Sequence, residues 1–177
     1  MIFTETRLKG AYLIELEPIE DERGFFARTF CREEYEKHGL NPRVVQCNTS
    51  YNRHKSTLRG MHYQLAPFSE AKLVSCLAGS IYDVIIDLRA ESPTYGEWLA
   101  LELTSRRPRP MLYVPENFAH GFQTLADDTE VFYQMSAPYH PESARGLRWD
   151  DAALNIVWPA GNRIVSQRDQ SFPDFIR

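Results

Sequence analysis

The stretch Lys72-Leu73-Val74-Ser75-Cys76-Leu77-Ala78-Gly79-Ser80-Ile81-Tyr82-Asp83-Val84-Ile85-Ile86-Asp87 holds two apolar runs with a period of two, Lys72 to Leu77 and Ser80 to Asp87, joined only by Ala78-Gly79. Alternation of that kind marks strands. Joins this short have no room for crossover helices, so antiparallel connections are implied. Outward in both directions the pattern recurs at Ala11 to Glu17, Trp98 to Thr104, Met111 to Val114 and Glu130 to Ser136. Turn signals at Ser92-Pro93-Thr94-Tyr95-Gly96 and Arg107-Pro108-Arg109-Pro110 punctuate it. The chain is therefore predicted to be all-β, a sandwich or barrel. One helix is predicted over Cys31 to His38, ended by Gly39 in a left-handed cap. No repeat, linker or low-complexity tract divides the 177 residues, which predict a single domain over 1–177.

Composition narrows the function class. With 20 basic against 24 acidic residues the chain has no basic field for nucleic acid, which is excluded as a partner. Cys31, Cys47 and Cys76 are odd in number and widely spaced, with no Cys-x-x-Cys, and a reducing cytoplasm is expected. No export signal and no membrane insertion are expected, since no apolar leader or long uncharged apolar run is present.

Chemistry concentrates between Arg59 and Lys72, where a guanidinium, an imidazole and an ammonium fall within one short segment. Strict alternation along Arg59 to Gln64 sends Gly60, His62 and Gln64 to one face and Arg59, Met61 and Tyr63 to the other. Lys72 shares a face with Val74 and Cys76, so it either ends its strand in solvent, the commoner fate of a lysine, or enters a pocket. Tyr133 falls on one side with Val131 and Met135 and is expected to face inward. Asp83, between Ile81 and Ile85, needs a partner if buried, with a structural salt bridge or turn contact expected. His120 is expected at a cavity mouth, in a segment joining two strands beside Gly121. No His-x-His occurs, and His62 with His120 falls short of a usual ligand set, so no metal site is predicted.

Several motifs appear together in order: Asp21-Glu22-Arg23-Gly24-Phe25-Phe26, Gln46-Cys47-Asn48-Thr49-Ser50, Leu58-Arg59-Gly60-Met61-His62-Tyr63-Gln64, Asp83 to Arg89, Ser92-Pro93-Thr94-Tyr95-Gly96, Phe118-Ala119-His120-Gly121-Phe122, Ile156-Val157-Trp158-Pro159 and Ser166-Gln167-Arg168-Asp169. In that order and spacing the chain resembles the dTDP-4-dehydrorhamnose 3,5-epimerase family, enzymes acting on nucleotide-linked 4-keto-6-deoxy sugars in the dTDP-L-rhamnose pathway. The resemblance implies a cupin-type jelly roll, a homodimer, and catalysis with no metal or organic cofactor. By motif it makes His62 the general base, Asp169 its paired carboxylate, Tyr133 the acid on the opposite face and Lys72 the group beside the sugar carbonyl. It places Arg23 and Arg59 at the diphosphate, and Phe26, Gln46, Asn48 and Tyr139 around nucleotide or sugar; His120 is matched in position. The implied reaction is removal of an acidic proton beside the C4 ketone by a base titrating near neutrality, stabilisation of the enolate oxygen, and return of a proton from the other side.

Two positions depart from the family pattern. Arg28 stands where a glutamate commonly contacts thymine, and a guanidinium can only donate where the imide proton needs an acceptor. Losing such a charge-assisted bond costs about 1.5 to 3 kcal/mol. A CDP- or GDP-linked sugar is therefore the alternative to dTDP, unless Arg28 turns away to pair with Glu22. Gln134 replaces a common lysine but should face away from Tyr133. Epimerisation at C3 alone, C5 alone or both is left open. The rival readings are a jelly-roll sugar ketoisomerase, a metal-dependent cupin, or a non-catalytic sugar-nucleotide binding protein.

Overall fold

A computed structural model describes residues 1–176. In chain order the elements are β1 (Ile2–Glu5), β2 (Tyr12–Glu15), β3 (Ile19–Asp21), β4 (Gly24–Phe26), α1 (Arg32–Lys37), β5 (Gln46–Asn52), β6 (Thr57–Gln64), β7 (Lys72–Ala78), β8 (Ser80–Asp87), β9 (Trp98–Thr104), β10 (Met111–Val114), β11 (Phe118–Thr124), β12 (Thr129–Met135), β13 (Ala144–Gly146), β14 (Ile164–Val165) and α2 (Gln167–Gln170). One sheet has the order β1-β2-β10-β7-β12-β5, and the other β13-β6-β11-β8-β9 with β14 alongside β6. The strands β3 and β4 form a separate hairpin. All pairings are antiparallel except β14 with β6. This is the all-β jelly-roll sandwich expected from the sequence, and the chain passes from one sheet to the other at the tight Ala78-Gly79 join. Among the described residues no helix is long and apolar enough to cross a membrane.

Apolar side chains form three layers. Between the sheets, Val74, Leu112 and Val131 meet Ile81, Ile85, Leu103, Phe118 and Phe122. On the outer face of the first sheet, Ile14, Leu73, Met111 and Tyr113 pack under Tyr35 and Leu40, which explains why the short helix α1 is there at all. On the outer face of the second, Leu58, Met61, Val84, Ile86 and Ala119 are covered by Leu147, Leu154, Trp158 and Phe175 from the C-terminal segment. Asp151 anchors that cover by accepting hydrogen bonds from the N–H groups of Ala153, Leu154 and Phe175. The same cover carries α2 back against β6, and so decides where Asp169 lies.

Two neighbouring motifs, Asp83 to Arg89 and Ser92 to Gly96, meet at Asp87. Its carboxylate accepts from the Arg89 guanidinium at 2.7 and 2.9 Å, Ser92 Oγ at 2.6 Å and Thr94 Oγ1 at 2.7 Å. Burial pushes the carboxyl up, but those bonds more than offset it and hold the group at about 2. Against an unfolded value of about 3.9, the gap corresponds to about 2 to 3 kcal/mol, present above pH ~4 and lost as the pH falls toward 2. Urea unfolding of the wild type and Asp87→Asn at pH 7, 4, 3 and 2 is expected to show a steep acid loss in the wild type and a shallower one in the less stable variant. Identical pH dependence in both proteins would refute this role.

Candidate active site

The inner faces of the two sheets are apolar at one end and polar at the other, and the polar end opens into a cavity of about 500 Å³. Its first wall comes from one sheet: Gln46, Asn48 and Ser50 of β5, Lys72 of β7, and Tyr133 and Met135 of β12. The facing wall comes from the other: Arg59, His62 and Gln64 of β6, and His120 and Phe122 of β11, with Ser166, Arg168 and Asp169 added by the C-terminal segment.

Arg59 and His62 both line this cavity, which corrects the strict alternation read from the sequence. Across β6 and β11, His62 pairs with His120 and Arg59 with Phe122, so Gly60 and Met61 stand opposite Gly121 alone. That is a β-bulge, and it turns Arg59 onto the face of His62. Gly60 has φ +140°, and a Cβ there would lie 2.5 Å from the Gly121 Cα, so glycine is required on both counts. Met61 is released to the buried outer layer.

His62 Nε2 lies 2.8 Å from Asp169 Oδ1, and Asp169 Oδ2 accepts from the Gly60 N–H at 3.2 Å. Ser166 caps α2 by accepting from the Asp169 N–H at 3.1 Å, fixing the carboxylate's approach. Burial works to raise the Asp169 carboxyl, but the bonds from His62 and Gly60 outweigh it and hold the group below its ordinary value. An ionised Asp169 accepts the Nε2 proton and leaves Nδ1 as the nitrogen free to take one. Phe172 packs edge-on to the imidazole at 5.7 Å between centroids.

His120 is in the middle of β11 and buried, not in a loop at the cavity mouth as expected. Its Nε2 lies 2.7 Å from Asp83 Oδ1, which supplies the partner that the inward aspartate needs. Burial pushes the Asp83 carboxyl up, against the attraction of His120 and Lys72. Lys72 is buried too, so its commoner fate is not the one realised; its Nζ contacts Glu70 Oε1 at 2.7 Å. Burial pushes the Tyr133 hydroxyl above its ordinary value, with Arg59 pulling the other way, so the phenol keeps its proton. His62 and Tyr133 come from different sheets and face each other across the cavity.

At the outer end, Arg59 Nε donates to Asn52 Oδ1 at 2.8 Å, and Tyr139, half exposed, is held by its N–H to Gln46 Oε1 at 2.9 Å. Asn48 Nδ2 reaches Met135 Sδ at 3.2 Å. The remaining candidates lie elsewhere. Arg23, Phe26 and Arg28 are on or just after the β3–β4 hairpin, outside the cavity, with Phe26 73% exposed. Arg23 pairs with Asp21, and Arg28 with Glu34 at 2.7 Å rather than with Glu22. Glu70, Arg145 and Arg168 line the cavity and were not singled out from the sequence. For Glu70 a signal existed: it stands two residues before Lys72, and so on the same face. Among the described residues no group of three or more His, Cys, Asp or Glu is placed to hold a metal ion.

Known proteins share this arrangement of chain. The family model described as dTDP-4-dehydrorhamnose 3,5-epimerase matches residues 5–176. The dTDP-4-dehydrorhamnose 3,5-epimerase of Sinorhizobium fredii is 41% identical over 174 residues, covering 98% of this chain and 89% of that protein. The crystal structure of dTDP-4-dehydrorhamnose 3,5-epimerase from Bacillus anthracis with TDP and PPi bound superposes with a TM-score of 0.94 at 37% identity, covering 98% of this chain and 99% of that one. A dTDP-6-deoxy-D-glucose-3,5-epimerase from Legionella pneumophila, in complex with dTDP-4-keto-L-rhamnose, gives a TM-score of 0.90 at 36% identity over 98% of this chain and 92% of that one.

Proposed function

The chain belongs to the dTDP-4-dehydrorhamnose 3,5-epimerase family, and from that premise we propose that it converts dTDP-4-dehydro-6-deoxy-D-glucose to dTDP-4-dehydro-L-rhamnose by inverting C3 and C5. The observation that carries the mechanism is the pairing of His62–Asp169 on one wall of the cavity with Tyr133 and Lys72 on the other. His62 removes the proton beside the C4 ketone, and Asp169 stabilises the imidazolium that results. Lys72 donates to the C4 oxygen as it becomes an enolate. Tyr133 returns a proton from the opposite face, which inverts the carbon. Arg59, with Arg145 and Arg168 nearby, supplies positive charge for the diphosphate, while Gln46, Asn48 and Tyr139 border the nucleotide end.

The functional unit in this reading is a homodimer. Arg23, Phe26 and Arg28 cannot serve their own cavity from where they stand, yet the hairpin that carries them is exposed, with Ile19 71% and Phe26 73% accessible. Docked on a second copy, the hairpin would bring Arg23 and Phe26 to the partner's nucleotide end. The ion pair with Glu34 occupies the Arg28 guanidinium, which supports tolerance of a thymine whose imide N–H an arginine cannot accept. The free cysteines fit a reducing cytoplasm, which cell fractionation would check.

Incubation in deuterated water with dTDP-, CDP-, GDP- and UDP-linked 4-keto-6-deoxyglucose, followed by NMR, tests the reading. Deuterium is expected at C3 and C5 of the dTDP sugar first. No exchange with any of the four would sink the epimerase assignment, and fastest exchange with a CDP or GDP sugar would move the substrate. Light scattering on the same samples should give twice the mass of one 20.5 kDa chain; a monomer would remove the partner's hairpin from the site.

A further inference from the structure

We infer that Glu70 is the positioning residue for Lys72, fixing the ammonium at the point in the cavity where the enolate oxygen develops; the inference rests on the epimerase reading above. Glu70 stands two residues before Lys72, the first residue of β7, and both side chains line the cavity. Their side chains are 4% and 8% exposed, and Nζ lies 2.7 Å from Oε1. A lysine carries a long flexible stem. Held by a buried carboxylate two residues before its strand, it loses that freedom before substrate arrives, and a preorganised donor is worth far more to a transition state than one that must be ordered during the step.

The pair is unusual in how little else supports it. Glu70 Oε2 is buried with no hydrogen-bond partner among the described residues, so Lys72 is the cation that compensates the carboxylate. A purely structural ion pair in a core would be expected to satisfy both oxygens, since a partly satisfied buried pair contributes little to stability. Here the pair lines the same cavity as His62, His120 and Tyr133. Asp83, also attractive to Lys72, is already bonded to His120 and has its own Oδ2 unpartnered. The charged groups around Lys72 are Glu70 beside it and the Asp83–His120 pair from the other sheet, and its cross-strand neighbour on β12 is the uncharged Met135. Of these, only Glu70 makes direct contact with its ammonium.

The test uses the full chain and the deuterium-exchange assay on the dTDP-linked sugar. Glu70→Gln keeps the shape and removes the charge; it is expected to lower kcat on the order of tenfold to a hundredfold, short of the hundredfold to thousandfold typical of deleting such a donor outright, with KM little changed. Lys72→Met should lower kcat further, and adding Glu70→Gln to Lys72→Met should cost nothing more, because Glu70 acts through Lys72. Glu70→Asp, which restores the charge one methylene short, is expected to fall between wild type and Glu70→Gln and keeps the test open should the glutamine variant fold poorly. Unchanged kcat in Glu70→Gln, or a full further loss in the Lys72→Met background, overturns the inference while a wild type active in the same run leaves the epimerase reading standing. A wild type that exchanges no proton overturns both.

Discussion

His62→Asn is expected to abolish deuterium incorporation at both C3 and C5, with a loss of about 10²- to 10⁴-fold, the range a positioned general base contributes. In the proposed mechanism the same base serves both carbons: His62, on the cavity wall, is the imidazole paired with Asp169 of the C-terminal cover. His120 pairs with it across the bulge, but its imidazole is buried and occupied by Asp83. Asparagine retains an amide able to donate to Asp169, so the Gly60 and Ser166 contacts that seat the carboxylate should survive. The affinity for dTDP, measured by calorimetry, is therefore expected to hold while exchange disappears. Exchange at either carbon within tenfold of wild type would assign that proton to another base, with His120 the first to examine.

What the sequence made legible follows from which faces are apolar. Strands β7, β8, β9, β10 and β12 alternate because each packs at least one face against apolar neighbours, and their periods of two are visible without any structure. The strand β5 has no such signature: its inward residues Gln46, Asn48 and Ser50 are polar because they wall the cavity, so hydrophobic patterning cannot find it. The opposite failure hides β11, which is buried along its whole length by packing on both faces and reads as a loop around Gly121. Local rules also break where the site needs them to break. Gly60 within a strand was itself the sign of a bulge, and taking it so would have put Arg59 beside His62.

Charge pairing was less legible than fold. An inward aspartate at Asp83 demands a partner on simple burial grounds, but its identity depends on the register of β8 with β11, which no single strand reveals. Arg28 has Glu22 and Glu34 on either side in sequence, and the choice falls to Glu34 because α1 turns it toward the N-terminus, where the Met1 amino group shares the same carboxylate. The β3–β4 hairpin carries residues that the family resemblance assigns to the substrate, yet it stands clear of its own chain's cavity, which no local sequence pattern signals.

Tyr133→Phe separates proton removal from inversion. Tyr133 belongs to β12 in one sheet and His62 to β6 in the other, so a sugar lying between them presents opposite faces to the two groups. Burial holds the phenol in its protonated form, ready to donate. Phenylalanine preserves the ring packing against the core between the sheets and removes only the hydroxyl, so the fold should be unaffected. Without that acid the enolate can still form at His62 and be quenched from the same side, by the proton just removed or by a deuteron exchanged onto the imidazole. Deuterium should then enter C3 and C5 at a reduced but measurable rate while the inverted product falls by about 10²-fold or more. The diagnostic quantity is the ratio of label incorporated to carbon inverted, which should rise sharply over wild type. If the ratio stays constant while both fall together, Tyr133 is needed to form the enolate and not merely to quench it. If both stay at wild-type rates, another group on the wall of Lys72 and Tyr133 delivers the second proton.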